Sequence, residues 1–159
     1  MPAPTVISVN TSPGGIPKRP IAVGMVTFSG LGGDGHNHEK HLGPLRAVSL
    51  LDVEDLDVLC REGFDVYPGA TGENLTVRDL DSDALVAGDR LIFSGGVEIE
   101  ITMPRRPCYV LDSIDPRLKS VFVGRCGCKA KVIREGEIRA GETIELVRAA
   151  PPAPVAIPT

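Results

Sequence analysis

The chain has 159 residues, a formal net charge of −4 and no tryptophan. This length suits one domain whose core is built from Val, Ile and Leu. The negative balance argues against a general nucleic-acid-binding protein, because such proteins present a basic surface. No apolar run approaches the length of a membrane span, and the first four residues show no charged-then-apolar leader. We therefore expect a cytoplasmic protein without a membrane partner.

Glycine and proline divide the sequence into short segments. Eighteen glycines and fourteen prolines favour many short strands over a helical bundle. The pattern predicts nine or ten strands in a barrel or sandwich that spans residues 1–148, followed by a disordered Ala/Pro tail at 149–159. The clearest β-branched or alternating runs lie at residues 5–9, 21–28, 45–51, 73–77, 90–93, 97–102, 131–134 and 142–147.

One segment has helical rather than alternating periodicity. Asp52 stands where an N-cap is expected, and Gly63 stands at a C-terminal stop. Leu56, Leu59 and Cys60 fall on one face between them. The spacing predicts a helix after Asp52, with Cys60 packed in the core as a small hydrophobic residue.

Residues 103–108 (MPRRPC) follow an alternating strand and end in a cysteine. The two prolines withhold backbone donors, so this segment is not expected to continue an ordinary ladder. Guanidinium charge from Arg105 and Arg106 close to the thiol of Cys108 favours the nucleophilic thiolate. The pattern indicates either a reactive cysteine or a strand end with an incidental one.

Cys126 and Cys128 form a second cysteine feature. On an extended chain, two residues one apart face the same side. They are candidates to chelate a soft metal or to exchange disulfides with Cys108. The alternative is a glycine-broken strand start, because Cys-x-Cys without a second pair is not a zinc signature.

All three histidines of the protein, His36, His38 and His41, lie within six residues. A His-x-His pair on an extended backbone points both rings to one side, which suits a metal ion. A solvated polar loop is the alternative, and Lys40 inside the run favours it slightly.

Two other segments place cations where an anion can bind. Residues 10–15 form a glycine-containing turn with exposed backbone N–H groups, and Lys18 and Arg19 follow it. Arg46 lies inside the apolar run 45–51, and a charge in a buried strand requires a partner or an anionic ligand. A plain turn is the alternative for the first segment.

Four motifs in order resemble the MOSC domain, which is found at the C-terminus of molybdenum cofactor sulfurases and in amidoxime-reducing molybdenum enzymes. The resemblance covers most of residues 5–148 and implies a β-barrel of short, mostly antiparallel strands with a few short helices. The motifs are residues 10–18 (NTSPGGIPK), 32–34 (GGD) with 41–47 (HLGPLRA), 68–75 (PGATGENL) and 106–108 (RPC).

The resemblance implies binding or handling of molybdenum cofactor and of sulfur. Cys108 matches the cysteine that family members are proposed to use as a persulfide carrier or molybdenum ligand, with Arg106 beside it. Because the cofactor is a pterin phosphate, cations in the matching motifs are candidate phosphate contacts. The candidate cofactor-binding residues are Lys18, Arg46, Asn74, Ser12, His41 and Glu73.

The sequence departs from the family at three positions, one of which is Glu142 in place of the usual Asp near the end. Leu42 stands where the family usually has Gly, and Leu45 where it has Asp, so Arg46 meets either an anion or a different partner. The chain also has no room for the pyridoxal-phosphate desulfurase domain of the large sulfurases. We therefore expect persulfide sulfur to come from a separate cysteine desulfurase, and a molybdoenzyme is the other candidate partner.

Three functions remain open from the sequence. The first is sulfur transfer or molybdenum-dependent catalysis with Cys108 as the reactive thiol. The second is a non-catalytic module that carries or inserts the cofactor. The third is a soft-metal or redox sensor that uses Cys108, Cys126 and Cys128.

Overall fold

The computed structural model describes residues 3–35 and 44–150. The histidine run and the tail from residue 151 onward lie outside them. The described residues confirm the mainly β prediction. None of their helices is long and apolar enough to span a membrane. The strands are β1 (Thr5–Thr11), β2 (Arg19–Ile21), β3 (Gly24–Thr27), β4 (Gly30–Leu31), β5 (Val48–Asp52), β6 (Leu75–Arg78), β7 (Arg90–Phe93), β8 (Glu98–Pro104), β9 (Cys128–Arg134), β10 (Gly136–Ile138) and β11 (Ile144–Val147), and the α-helices are α1 (Val53–Arg61) and α2 (Leu118–Val121).

Eight strands form one curved sheet in the order β11-β7-β8-β9-β5-β6-β1-β2, and β10-β3-β4 form a second. Their pairing is antiparallel except between β5 and β6, which run parallel across the connection that contains α1. The eight strands do not close into a continuous ring, because β2 occupies part of the outer edge of β1. The segment before β11 instead reaches the start of β1, where the N–H of Val6 donates to the carbonyl of Glu142 at 2.9 Å.

Strand β5 separates two hydrophobic clusters. Leu50 packs into the larger cluster inside the curved sheet. Leu51 points to the opposite side, as strand alternation requires, and joins a second cluster with Leu56 of α1 and Phe122 beside α2. The short helices therefore cover the outer face of β5.

Two predictions are wrong, one on a strand boundary and one on the burial of a cysteine. The strand expected from residue 45 begins only at Val48, because Pro44–Arg46 forms a 3-10 helix that leaves Leu45 exposed. Cys60 is exposed rather than in the core. Helix α1 buries residues at a spacing of three up to Leu59, and the next residue lies about 100° further around the helix.

A carboxylate without solvent exposure, Glu73, fixes the loop at residues 68–74. One of its oxygens accepts hydrogen bonds from the N–H of Gly69 at 3.0 Å and the hydroxyl of Thr76 at 2.8 Å. The other accepts from the hydroxyl of Thr71 at 2.8 Å. These donors compensate the cost of burying the charge and tie the loop to β6.

Asp52 occupies the N-cap position of α1, but its side chain is turned away from the helix. Its carboxylate accepts the backbone N–H groups of residues 80–82 at 2.6 to 3.1 Å. The neighbouring Asp55 hydrogen-bonds with Asp83, and burial, this bond and the surrounding negative charge raise the pKa of Asp55 to about 8. Asp83 also accepts the N–H of Gly127 at 2.7 Å. The acidic cluster of Asp52, Asp55 and Asp83 therefore anchors the turn before β9.

The Asp55 pKa predicts a specific pH dependence of stability. The folded chain keeps on Asp55 a proton that the unfolded chain releases near the ordinary value of 3.8. The stabilisation is therefore complete below about pH 4 and is lost as the pH rises to about 8. When the free energy of unfolding is measured by denaturant at a series of pH values, Asp55→Asn should remove this part of its fall with rising pH. Asp57→Asn, on the exposed side of α1, should not. Identical profiles for Asp55→Asn and the unsubstituted chain would contradict this assignment.

Removal of the Glu73 carboxylate should destabilise the fold strongly. Glu73→Ala leaves three donors without their acceptor, which we expect to cost about 2–4 kcal/mol of unfolding free energy. Glu137→Ala removes an exposed carboxylate that pairs with Arg139 and should cost less than about 1 kcal/mol. Chemical denaturation of both variants measures the difference. Equal losses would show that Glu73 does not organise its loop.

Candidate functional site

A pocket of about 100 Å³ lies where the loop at 12–18, the turn at 44–46, the loop at 68–74 and the segment 105–111 meet. Among the described residues that line it, five are cationic and none is a carboxylate. The pocket is therefore positive in a chain whose net charge is −4. The five cationic residues are Lys18, Arg46, Arg105, Arg106 and Lys129.

Cys108 lines this pocket and is half-buried. The chain leaves β8 after Pro104, and Pro107 has no N–H with which to continue a ladder. The carbonyl of Cys108 then accepts the N–H of Leu111 at 3.0 Å, which begins the 3-10 helix Tyr109–Ser113. The cysteine thus sits at a fixed junction between a strand and a helical turn.

Arg105 connects two walls of the pocket. Its guanidinium donates to the carbonyl and the hydroxyl of Thr71 and, at 3.3 Å, to the carbonyl of Cys126. It also lies over the ring of Phe122, 5.9 Å from the ring centroid. These contacts give Arg105 a structural role in the pocket wall. Arg106 also lines the pocket.

Lys18 lines the pocket but is paired with Asp34. Its ammonium lies 2.5 Å from Asp34 Oδ2, and the side chains are 9% and 1% exposed. Asn74 donates to the same oxygen at 2.9 Å, and the N–H of Ser12 donates to Oδ1 at 3.1 Å. Burial lowers the pKa of Lys18, and Asp34 opposes this effect. Asp34 was not expected as a site residue, although it ends the 32–34 motif.

Two other predicted cofactor-binding residues, Ser12 and Glu73, do not line the pocket. Ser12 donates through its hydroxyl to the carbonyl of Gly15 at 2.8 Å and so shapes the first loop. Glu73 is fully buried and holds the loop at 68–74. His41 lies outside the described residues.

Cys126 and Cys128 do not face the same side. Cys126 packs in the cluster under the helices and Cys128 in the cluster inside the sheet. Gly127 between them has a φ of 79°, which breaks the strand alternation on which the prediction depended. Burial raises the pKa of Cys126 to about 12 and also raises that of Cys128. In the described parts of the chain, no three His, Cys, Asp or Glu side chains are arranged to hold a metal ion.

Lys129 is a pocket residue that the sequence reasoning missed. It follows Cys128 on β9, and its neighbour's side chain enters the core. Strand alternation places Lys129 on the opposite face, toward the pocket. The alternating pattern of β9 indicated this orientation of Lys129, but the residue belongs to none of the recognised motifs.

Known proteins are similar to this chain in sequence and in fold. The MOSC domain family model matches residues 37–145. Protein YiiM of Escherichia coli (strain K12) is 34% identical over 134 residues, which are 77% of this chain and 58% of YiiM. A protein named Reductase from Gibberella moniliformis is 32% identical over 127 residues, which are 75% of this chain and 23% of that protein. The chain thus spans less than two thirds of both relatives.

Solved structures show the same similarity at the level of the fold. YiiM from Geobacillus stearothermophilus superposes with a TM-score of 0.74 at 26% identity, covering 91% of this chain and 75% of that one. The YUAD protein from Bacillus subtilis shares the fold with a TM-score of 0.76 at 20% identity, covering 91% and 96%. The chain belongs to the MOSC domain family, which is associated with molybdenum-cofactor-related function.

Proposed function

We propose that this chain binds anionic molybdenum cofactor in the pocket and that the sulfur of Cys108 contacts the metal. The observation that carries the proposal is the position of Cys108 on a pocket whose described lining has five cations and no carboxylate. Thiolate sulfur is a soft ligand, and guanidinium and ammonium groups suit phosphate oxygens.

The residues fit such a group in their chemistry. The pocket volume of about 100 Å³ is smaller than the roughly 150 Å³ cavity that holds benzene in another protein. It would therefore hold a group the size of an oxyanion, such as the phosphate of the cofactor. The donor set combines one thiol with several cations, as an anionic cofactor with a soft metal requires.

Each part of the lining has a distinct role in this proposal. Arg46 and Arg106 meet the phosphate, as bidentate donors suited to its oxygens. Apolar side chains such as Leu111 and Phe122 form one wall and limit the access of water. The bound cofactor supplies a redox-active metal centre. Because the fungal relative is named a reductase, a reductive reaction is included in the proposal.

Sulfur carriage is a second candidate, favoured by the exposure of Tyr109 beside Cys108. A partner protein such as a cysteine desulfurase can approach a thiol at such a site. The Cys108 thiolate attacks the outer sulfur of the donor persulfide, a new S–S bond forms, and the donor cysteine leaves as its thiolate. A three-cysteine sensor is less well supported, because Cys126 and Cys128 are buried in separate clusters.

Molybdenum content tests the first proposal. In protein purified from molybdate-fed cells, Cys108→Ser should lower the molybdenum and pterin content on the order of tenfold, since a metal ligand is lost. Cys60→Ser removes an exposed thiol outside the pocket lining and should leave the content unchanged. Unchanged metal and pterin in Cys108→Ser would contradict the role of this sulfur.

Intact mass spectrometry tests sulfur carriage. After incubation with a cysteine desulfurase and free cysteine, the chain should gain the mass of one sulfur atom, and a reductant should remove it. Cys108→Ala should gain none, whereas Cys60→Ser should gain the same mass as the unsubstituted chain. A mass gain that survives Cys108→Ala would exclude Cys108 as the carrier.

A further inference from the structure

The Lys18–Asp34 pair differs from the other ion pairs of the described residues because both partners are buried. The other six pairs each have at least one side chain that is more than 25% exposed. Lys18 and Asp34 are 9% and 1% exposed. A buried pair of this kind is sensitive to the loss of one partner and tolerant of the loss of both.

Asp34 stands directly behind the wall of the positive pocket. Its neighbour Gly35 lines the pocket, as do both side chains that donate to Asp34 Oδ2, Lys18 and Asn74. A carboxylate at this position without a counter-ion would repel an anion in the pocket. The charge of Lys18 is therefore required here whether or not Lys18 contacts a ligand.

We propose that Lys18 acts as the counter-ion of Asp34 and that Asp34 is a positioning residue, which orients Asn74 and the loop at 12–18. Lys18 then promotes anion binding by cancelling the carboxylate rather than by touching the anion. This inference rests on the proposed anion-binding function and deepens it. It assigns the direct contacts with the phosphate to the other cations of the pocket.

A second interaction supports the positioning role. Besides donating to Asp34, Asn74 accepts the N–H of Ser49 at 3.1 Å through Oδ1. The orientation of its amide is therefore fixed from both ends, by Asp34 on the loop after β4 and by β5. Loss of the Asp34 carboxylate releases one end and leaves Lys18 with an uncompensated charge.

The experiment is a double-mutant cycle on the full chain, with inorganic phosphate as the probe and calorimetry at constant ionic strength as the measurement. Lys18→Met should weaken phosphate binding about tenfold or more, because Asp34 is left negative. Lys18→Met with Asp34→Asn should restore binding to within about threefold of the unsubstituted chain. Asp34→Asn alone should bind phosphate at least as tightly as that chain.

A double variant that binds as weakly as Lys18→Met would overturn the inference, because it would show a direct contact between Lys18 and the anion. Arg106→Met separates this failure from failure of the proposed function. If Arg106→Met binds phosphate as the unsubstituted chain does, the anion site itself is wrong.

Denaturant unfolding of the same variants gives a second readout, which is independent of ligand. Lys18→Met should be destabilised, and the added Asp34→Asn should recover most of that loss. No recovery would also overturn the pairing.

Discussion

The buried carboxylate of Glu73 is the constraint on which the site depends. It has no solvent exposure, so its charge is stable only while its three donors remain in place. One donor, Gly69, also accepts the backbone N–H of Lys18 at 2.9 Å through its carbonyl. Gly69 has a φ of 88°, and a β-carbon there would collide with the carbonyl oxygen of Lys18, so this position admits no side chain. The two loops that form one side of the pocket are thereby joined.

The other side of the pocket is joined to the same loop by Arg105. Its backbone N–H donates to the carbonyl of Gly127 at 3.0 Å, while its guanidinium reaches Thr71. Gly127 is held in turn by Asp83, within the acidic cluster beside α1. Glycine is required at 127, because a β-carbon would collide with the carbonyl of Leu50. A continuous set of polar contacts in and behind the pocket wall therefore positions Cys108 relative to the cations.

The sequence predicted the local features of this arrangement and missed those that depend on distant contacts. The mainly β fold and the start of α1 follow from strand alternation and from helical spacing. Cys108, Arg106, Lys18, Arg46 and Asn74 belong to motifs, and all five line one pocket.

The missed features have specific physical causes. The pairing of Lys18 with Asp34 joins two loops that no local pattern relates. The orientation of the Arg105 side chain toward Thr71 depends on a contact between residues that are 34 positions apart in the sequence. The separation of Cys126 from Cys128 follows from one left-handed glycine, which strand alternation does not reveal. Cys60 was misplaced because helical spacing does not show how wide the buried face of α1 is.

The most direct test of this account is a crystal structure of the protein from molybdate-fed cells, with anomalous data collected at the molybdenum edge. We expect one anomalous peak in the pocket, within bonding distance of the sulfur of Cys108, and a phosphate near Arg46 and Arg106. A molybdenum peak elsewhere on the chain, with Cys108 out of bonding distance, would contradict it.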